Sequence, residues 1–169
     1  MEKQESNKAF LRTYPFAYGG GMMLISATVA TYFSIFMTDT FGIPAAAASI
    51  IMFVATLWDA INDPMMGMIA DRTHNRFGRY RSYYLWVPAV LTFAAFMVFL
   101  APKGLSTPQK IAYIAFFYIL YGMSYTALTM PTVAAVPANT KNDKERNTVI
   151  TLACAIMSLA FCFVSTFTT

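Results

Sequence analysis

The run LWDAINDPMMGMIADRTHNRFGRYR, Leu57 to Arg81, decides how this chain must be read. It sets two carboxylates, Asp59 and Asp63, inside an apolar stretch that reads as a membrane-spanning helix, then breaks into a strongly basic loop. Residues four apart lie one turn apart on the same helix face. An acid in the hydrocarbon region is costly unless it faces a bundle interior, a wet cavity or a cation, which makes the pair a functional-site candidate. Pro64 has no N–H, so the Ala60 carbonyl lacks its usual helical donor and becomes a further oxygen beside both aspartates. Asn62 adds an amide oxygen. Such a set of oxygens suits a hard cation such as sodium. The plainer alternative is a pair of acids solvated at a helix end. It is opposed by Met65, Met66, Met68 and Ile69, which carry the apolar pattern on to about Ala70.

The surrounding composition agrees with a membrane setting. Of the 169 residues, 57% are hydrophobic and 12% charged, whereas soluble domains average about 25% charged. The net charge of +4 is no nucleic-acid footprint, because Lys and Arg fall in short segments between apolar runs. Cys154 and Cys162 fit no metal or redox spacing and read as buried free thiols. No Ser/His/Asp or Cys/His grouping supports catalysis, so neither enzyme activity nor a cofactor beyond a bound cation is expected. The tail MEKQESNKAFLRTYP lacks a signal-peptide core, so the first apolar run is expected to remain as an anchor.

Five runs reach the roughly 20 residues that a helix needs to cross a bilayer. They lie at about 16–37, 45–70, 83–100, 111–136 and 148–169. The expected fold class is therefore an all-α membrane protein with five transmembrane helices. Ten of the twelve Lys and Arg residues fall in the N-terminal tail, the second-to-third loop and the fourth-to-fifth loop; only Lys103 and Lys110 lie on the other side. Positive charge marks the cytoplasmic side, so the N-terminus is expected there. Gly19-Gly20-Gly21 lacks the Lys-Ser/Thr of a phosphate loop and reads as close helix packing or a hinge. His74 reads as solvated loop, and Met130-Pro131 as a kink near Thr126.

From Gly67 the loop runs through Asp71, Arg72, Arg76, Gly78 and Arg79, which resembles the GxxxDRxxxRxGR signature between the second and third helices of the major facilitator superfamily. WDAINDPMMG narrows the resemblance to the glycoside–pentoside–hexuronide:cation symporter family. GMSYTALTMP, Gly122 to Pro131, and VPANTKNDKERN, Val136 to Asn147, are similar to that family's fourth helix and following loop. The resemblance implies an inner-membrane symporter coupled to sodium, lithium or a proton, carrying a sugar or glycoside. It also implies a cation site on Asp59, Asn62, Asp63 and Thr126, with Tyr125 near the sugar. Three galactoside-binding positions do not match: they fall on Met23, Thr129 and Cys154. The family's twelve helices form two six-helix halves. The chain is thus expected to be a partial N-terminal domain, with membrane lipid, a small-molecule substrate and the missing C-terminal half as partners. A carrier of a lipid-like substrate, and a non-transporting fragment packed on a partner, are the alternatives.

Overall fold

In a computed structural model, described for residues 8–72, 81–140 and 142–166, the regular elements are all helices. Helix α1 is Lys8–Thr40, α2 Ala45–Arg72, α3 Arg81–Val98, α4 Thr107–Asn139 and α5 Asp143–Thr166. Four of them, all but α3, are long and apolar enough to cross a membrane, and α3 is apolar but shorter. Large apolar side chains lie exposed along their flanks, Trp86 at 76% and Leu159 at 69%. That is the surface a helix presents to lipid rather than to water.

All the helices but α2 start earlier than the apolar runs, for local reasons. KAFLRTY adds two turns to α1, burying Leu11 and Tyr14 three residues apart on one face. Pro15 then opens a π-helical stretch, Pro15–Met22, where its missing N–H takes from the Leu11 carbonyl the donor an α-helix would supply. Helix α4 begins with a capping box: Gln109 Oε1 accepts hydrogen bonds of 3.0 Å from both the backbone N–H and the hydroxyl of Ser106. Helix α5 begins with Asn142, whose side-chain oxygen accepts from the Lys144 N–H at 3.1 Å. The C-terminal end of α1 is a second π-helical stretch, Phe36–Thr40. It is closed by Gly42 at φ +71°, a left-handed conformation that glycine adopts without strain.

The chain divides into two compact units, residues 32–131 and residues 1–31 with 132–169. In the second of these, the start of α1 packs on the start of α5 around Tyr14, Val136 and Ala153, flanked by Phe10, Tyr18 and Val149. A Cβ on Gly19 would lie 2.6 Å from the Ala153 carbonyl oxygen, so only glycine permits this approach. In the unit 32–131, Phe36, Phe41, Phe99, Tyr113 and Phe117 form a chain of ring contacts. There Lys110 Nζ donates to the Phe41 carbonyl at 2.7 Å and sits 5.2 Å from the Phe41 ring centre.

Candidate functional site

Serine and threonine hydroxyls inside apolar helices ordinarily satisfy themselves on the carbonyl one turn back. Thr28, Ser49, Thr56, Thr92, Ser124 and Ser158 do so here. Thr126 instead donates to Asp63 Oδ1 at 2.9 Å, across from α4 to α2. It is 5% exposed. A hydroxyl given to a carboxylate makes a charge-assisted bond, stronger than the local one it forgoes.

The contact repeats one turn earlier. A Cβ on Gly122 would lie 2.8 Å from Asp59 Oδ1, so the Asp59 carboxylate occupies space that any larger residue at 122 would claim. Asp59 and Asp63 on α2 therefore meet Gly122 and Thr126 on α4 with the same four-residue spacing. Both helices run in the same direction at this point. Carboxylates one helical turn apart on the same face are near neighbours. At about 6 Å and an effective dielectric of about 20, their mutual repulsion is roughly 3 kcal/mol when both are ionised.

Asn62 is 4% exposed and its Nδ2 has no hydrogen-bond partner. Rotating the amide by half a turn exchanges that nitrogen for the oxygen, since the two occupy nearly equivalent positions. With its oxygen turned that way, the amide three residues from Asp59 and next to Asp63 fits the donor set of a hard cation. The Thr126 hydroxyl, while donating its hydrogen bond to Asp63, keeps lone pairs for the same ion. The residues thus fit sodium, through two carboxylates, an amide oxygen and a hydroxyl. Thr129, three residues beyond Thr126 on α4, has a buried hydroxyl without a partner.

Tyr125 is half-buried and its ring stacks on Tyr121 at 6.1 Å. Tyr121 stacks on Tyr118 at 6.3 Å, and Tyr118 on Phe33 at 4.1 Å. Neither this ladder nor the role of Gly122 is foreseen by composition. The i, i+3, i+7 spacing of Tyr118, Tyr121 and Tyr125 was available as a signal, whereas the Gly122 contact needs the partner helix. Of the loop signature, Gly67 lies within α2, where an added Cβ would meet open space, and Arg72 is exposed in the last turn. The Asp71 side chain and residues 73–80, with Arg76, Gly78 and Arg79, lie outside the described residues.

Two of the three unmatched sugar positions share a surface in the other unit. Met23 and Cys154 line an apolar cavity of about 410 Å³ with Met157, Ser158, Phe161 and Cys162. Both cysteines are free, and both are exposed rather than buried. The buried-thiol expectation is therefore corrected: α5 turns these sulfurs away from its packed face at Ala153 and Ala160.

Comparison with known proteins follows the same lines. The chain is 39% identical over 122 residues to the uncharacterized symporter YnaJ of Bacillus subtilis, and 36% identical over 140 residues to an isoprimeverose transporter of Lactiplantibacillus pentosus. It is 30% identical over 154 residues to the sodium-dependent lysophosphatidylcholine symporter 1-A of Danio rerio. These matches cover 72%, 82% and 87% of this chain but 26%, 29% and 28% of the relatives, so the chain spans less than a third of their length. Residues 16–169 match the family model described as MFS/sugar transport protein, and this chain belongs to that family of multi-pass membrane proteins.

Proposed function

We propose that this chain carries the cation site of a symporter that moves a sugar or glycoside across the inner membrane with sodium or a proton, its N-terminus cytoplasmic. The observation that carries the reading is the Thr126–Asp63 hydrogen bond, made across two apolar helices by a hydroxyl that gives up its local partner. Asp59, Asn62, Asp63 and Thr126 hold the cation, and Tyr125 meets the substrate. An ion between the carboxylates removes their repulsion, so α2 and α4 draw together on binding. Any substrate preferring that closed arrangement then binds more tightly, and the ion in turn is bound more tightly by the substrate-loaded protein. The reaction is transport and not catalysis.

A carrier of lipid-like molecules is the second reading, favoured by the apolar lining around Met23 and Cys154 and by the lysophosphatidylcholine symporter among the relatives. Uptake of labelled glycosides and of a labelled lysophospholipid, each with sodium and with choline replacing it, separates the two. Glycoside uptake stimulated by sodium supports the first reading, and lysophospholipid uptake alone supports the second. Uptake of neither, with no sodium binding to the purified protein, overturns both.

A further inference from the structure

The amino-terminal ends of α1 and α5 enclose a second cavity, of about 440 Å³, whose chemistry differs from that around Met23. It is lined by Lys8, Leu11, Arg12, Lys144, Glu145, Thr148 and Val149. Lys8 and Arg12 are one turn apart on α1, and Lys144 reaches the same space from the first turn of α5. Three cations thus face one carboxylate. That carboxylate is engaged already, since Glu145 Oε2 accepts from the Thr140 hydroxyl at 3.1 Å. The neighbouring charges cancel outside the cavity, Arg146 pairing with Asp143 at 3.0 Å. Among the described residues, Lys8, Arg12 and Lys144 make no ion pair. The positive end of the 24-residue helix α5 adds to the local potential.

The floor of the cavity is apolar. Leu11 is buried, Val149 half-buried, and the stems of the two lysines extend the hydrocarbon surface. Both helices that frame the cavity continue from this end as apolar spans. A cationic mouth over an apolar wall, at the end of two spans, matches a molecule with an anionic head and hydrocarbon tails. We propose that this cavity binds the head group of an anionic phospholipid, its phosphate among Lys8, Arg12 and Lys144 and its acyl chains along α1 and α5. A free phosphate would meet the same cations but gain nothing from Leu11 and Val149. Basic pockets at the ends of membrane helices are a recurrent way of holding such lipids, each cation contributing roughly fivefold in affinity near an anionic surface.

The test compares phosphatidylglycerol with phosphatidylcholine of the same acyl chains, added to the purified protein in neutral detergent, with glycerol phosphate as the tail-free control. Retained lipid is measured by native mass spectrometry and protein stability by Tm. Phosphatidylglycerol is expected to be retained at least about tenfold over phosphatidylcholine and to raise Tm, the preference shrinking as salt is added. Glycerol phosphate at equal concentration leaves Tm unchanged. Lys8→Gln, Arg12→Gln and Lys144→Gln each reduce the preference by roughly fivefold, while Lys103→Gln, in a different loop, leaves it intact. Equal retention of the two lipids overturns the proposal, and a glycerol phosphate shift matching that of the lipid reassigns the cavity to a free anion. An unchanged preference in all three single variants overturns it equally.

Discussion

At the scale of single residues, the pairings 59 with 122 and 63 with 126 give the sharpest tests. Asp63→Asn removes the charge on which the Thr126 hydroxyl and the ion both depend, so sodium stimulation of uptake is expected to vanish. Thr126→Ala removes one neutral oxygen that a water molecule can replace, and sodium affinity is expected to fall by about tenfold or less. Protons compete with sodium for the same carboxylates, so the apparent sodium affinity of the unaltered protein falls as pH is lowered. Sodium titrations across a pH series in each variant check all three outcomes, and sodium stimulation persisting in Asp63→Asn removes the site assignment. Gly122→Ala acts differently. Its new methyl meets the movable end of Asp59, so Tm changes little while sodium affinity drops, because the carboxylate has turned away. The aspartates, Asn62 and Thr126 were legible as polar groups within apolar runs. Gly122 was not, since a missing side chain carries no pattern of its own.

At the scale of the helix, two glycines and a lysine separate backbone limits from side-chain ones. Gly19→Ala drives a methyl against a backbone carbonyl that cannot rotate aside, and is expected to cost about 1–3 kcal/mol of stability. It should lower Tm far more than Gly122→Ala does. A Tm for Gly19→Ala equal to that of the unaltered protein would show that α1 and α5 can separate freely. Lys110→Met keeps the stem but loses the hydrogen bond to Phe41 and the contact with its ring. A charged hydrogen bond and an exposed cation–π contact together suggest a loss of about 2–3 kcal/mol. All five helices were legible from hydropathy, but four reach the apolar length that a bilayer selects, and α3, apolar over Tyr83–Val98, falls short of it. Their ends were less so: caps at Ser106 and Asn142 are polar, and a hydropathy reading stops before it reaches them.

At the scale of the whole chain, orientation rests on charge and is open to direct measurement. Cysteines introduced in place of Lys103 and of Lys144, with Cys154 and Cys162 replaced by serine, are expected to react with an impermeant thiol reagent from opposite sides of the membrane. Labelling of both from one side would contradict the cytoplasmic N-terminus. The family was legible from WDAINDP and the loop that follows, because those residues are too polar and too closely spaced to be explained by membrane insertion. The cationic cavity was not: Lys8 and Lys144 are 136 positions apart, and only folding sets them around one space.

The bond between Asp63 and Thr126 joins residues 63 positions apart, and this distance has a meaning in time. At about 5–20 residues per second of synthesis, α2 leaves the ribosome roughly 3 to 13 s before α4 can offer its hydroxyl. During that interval it must enter the bilayer with two acids, each costing about 2.5–3.5 kcal/mol at a helix centre. The apolar length of Ala45–Ala70 must offset both acids during that interval, and only the arrival of α4 gives Asp63 its hydroxyl partner.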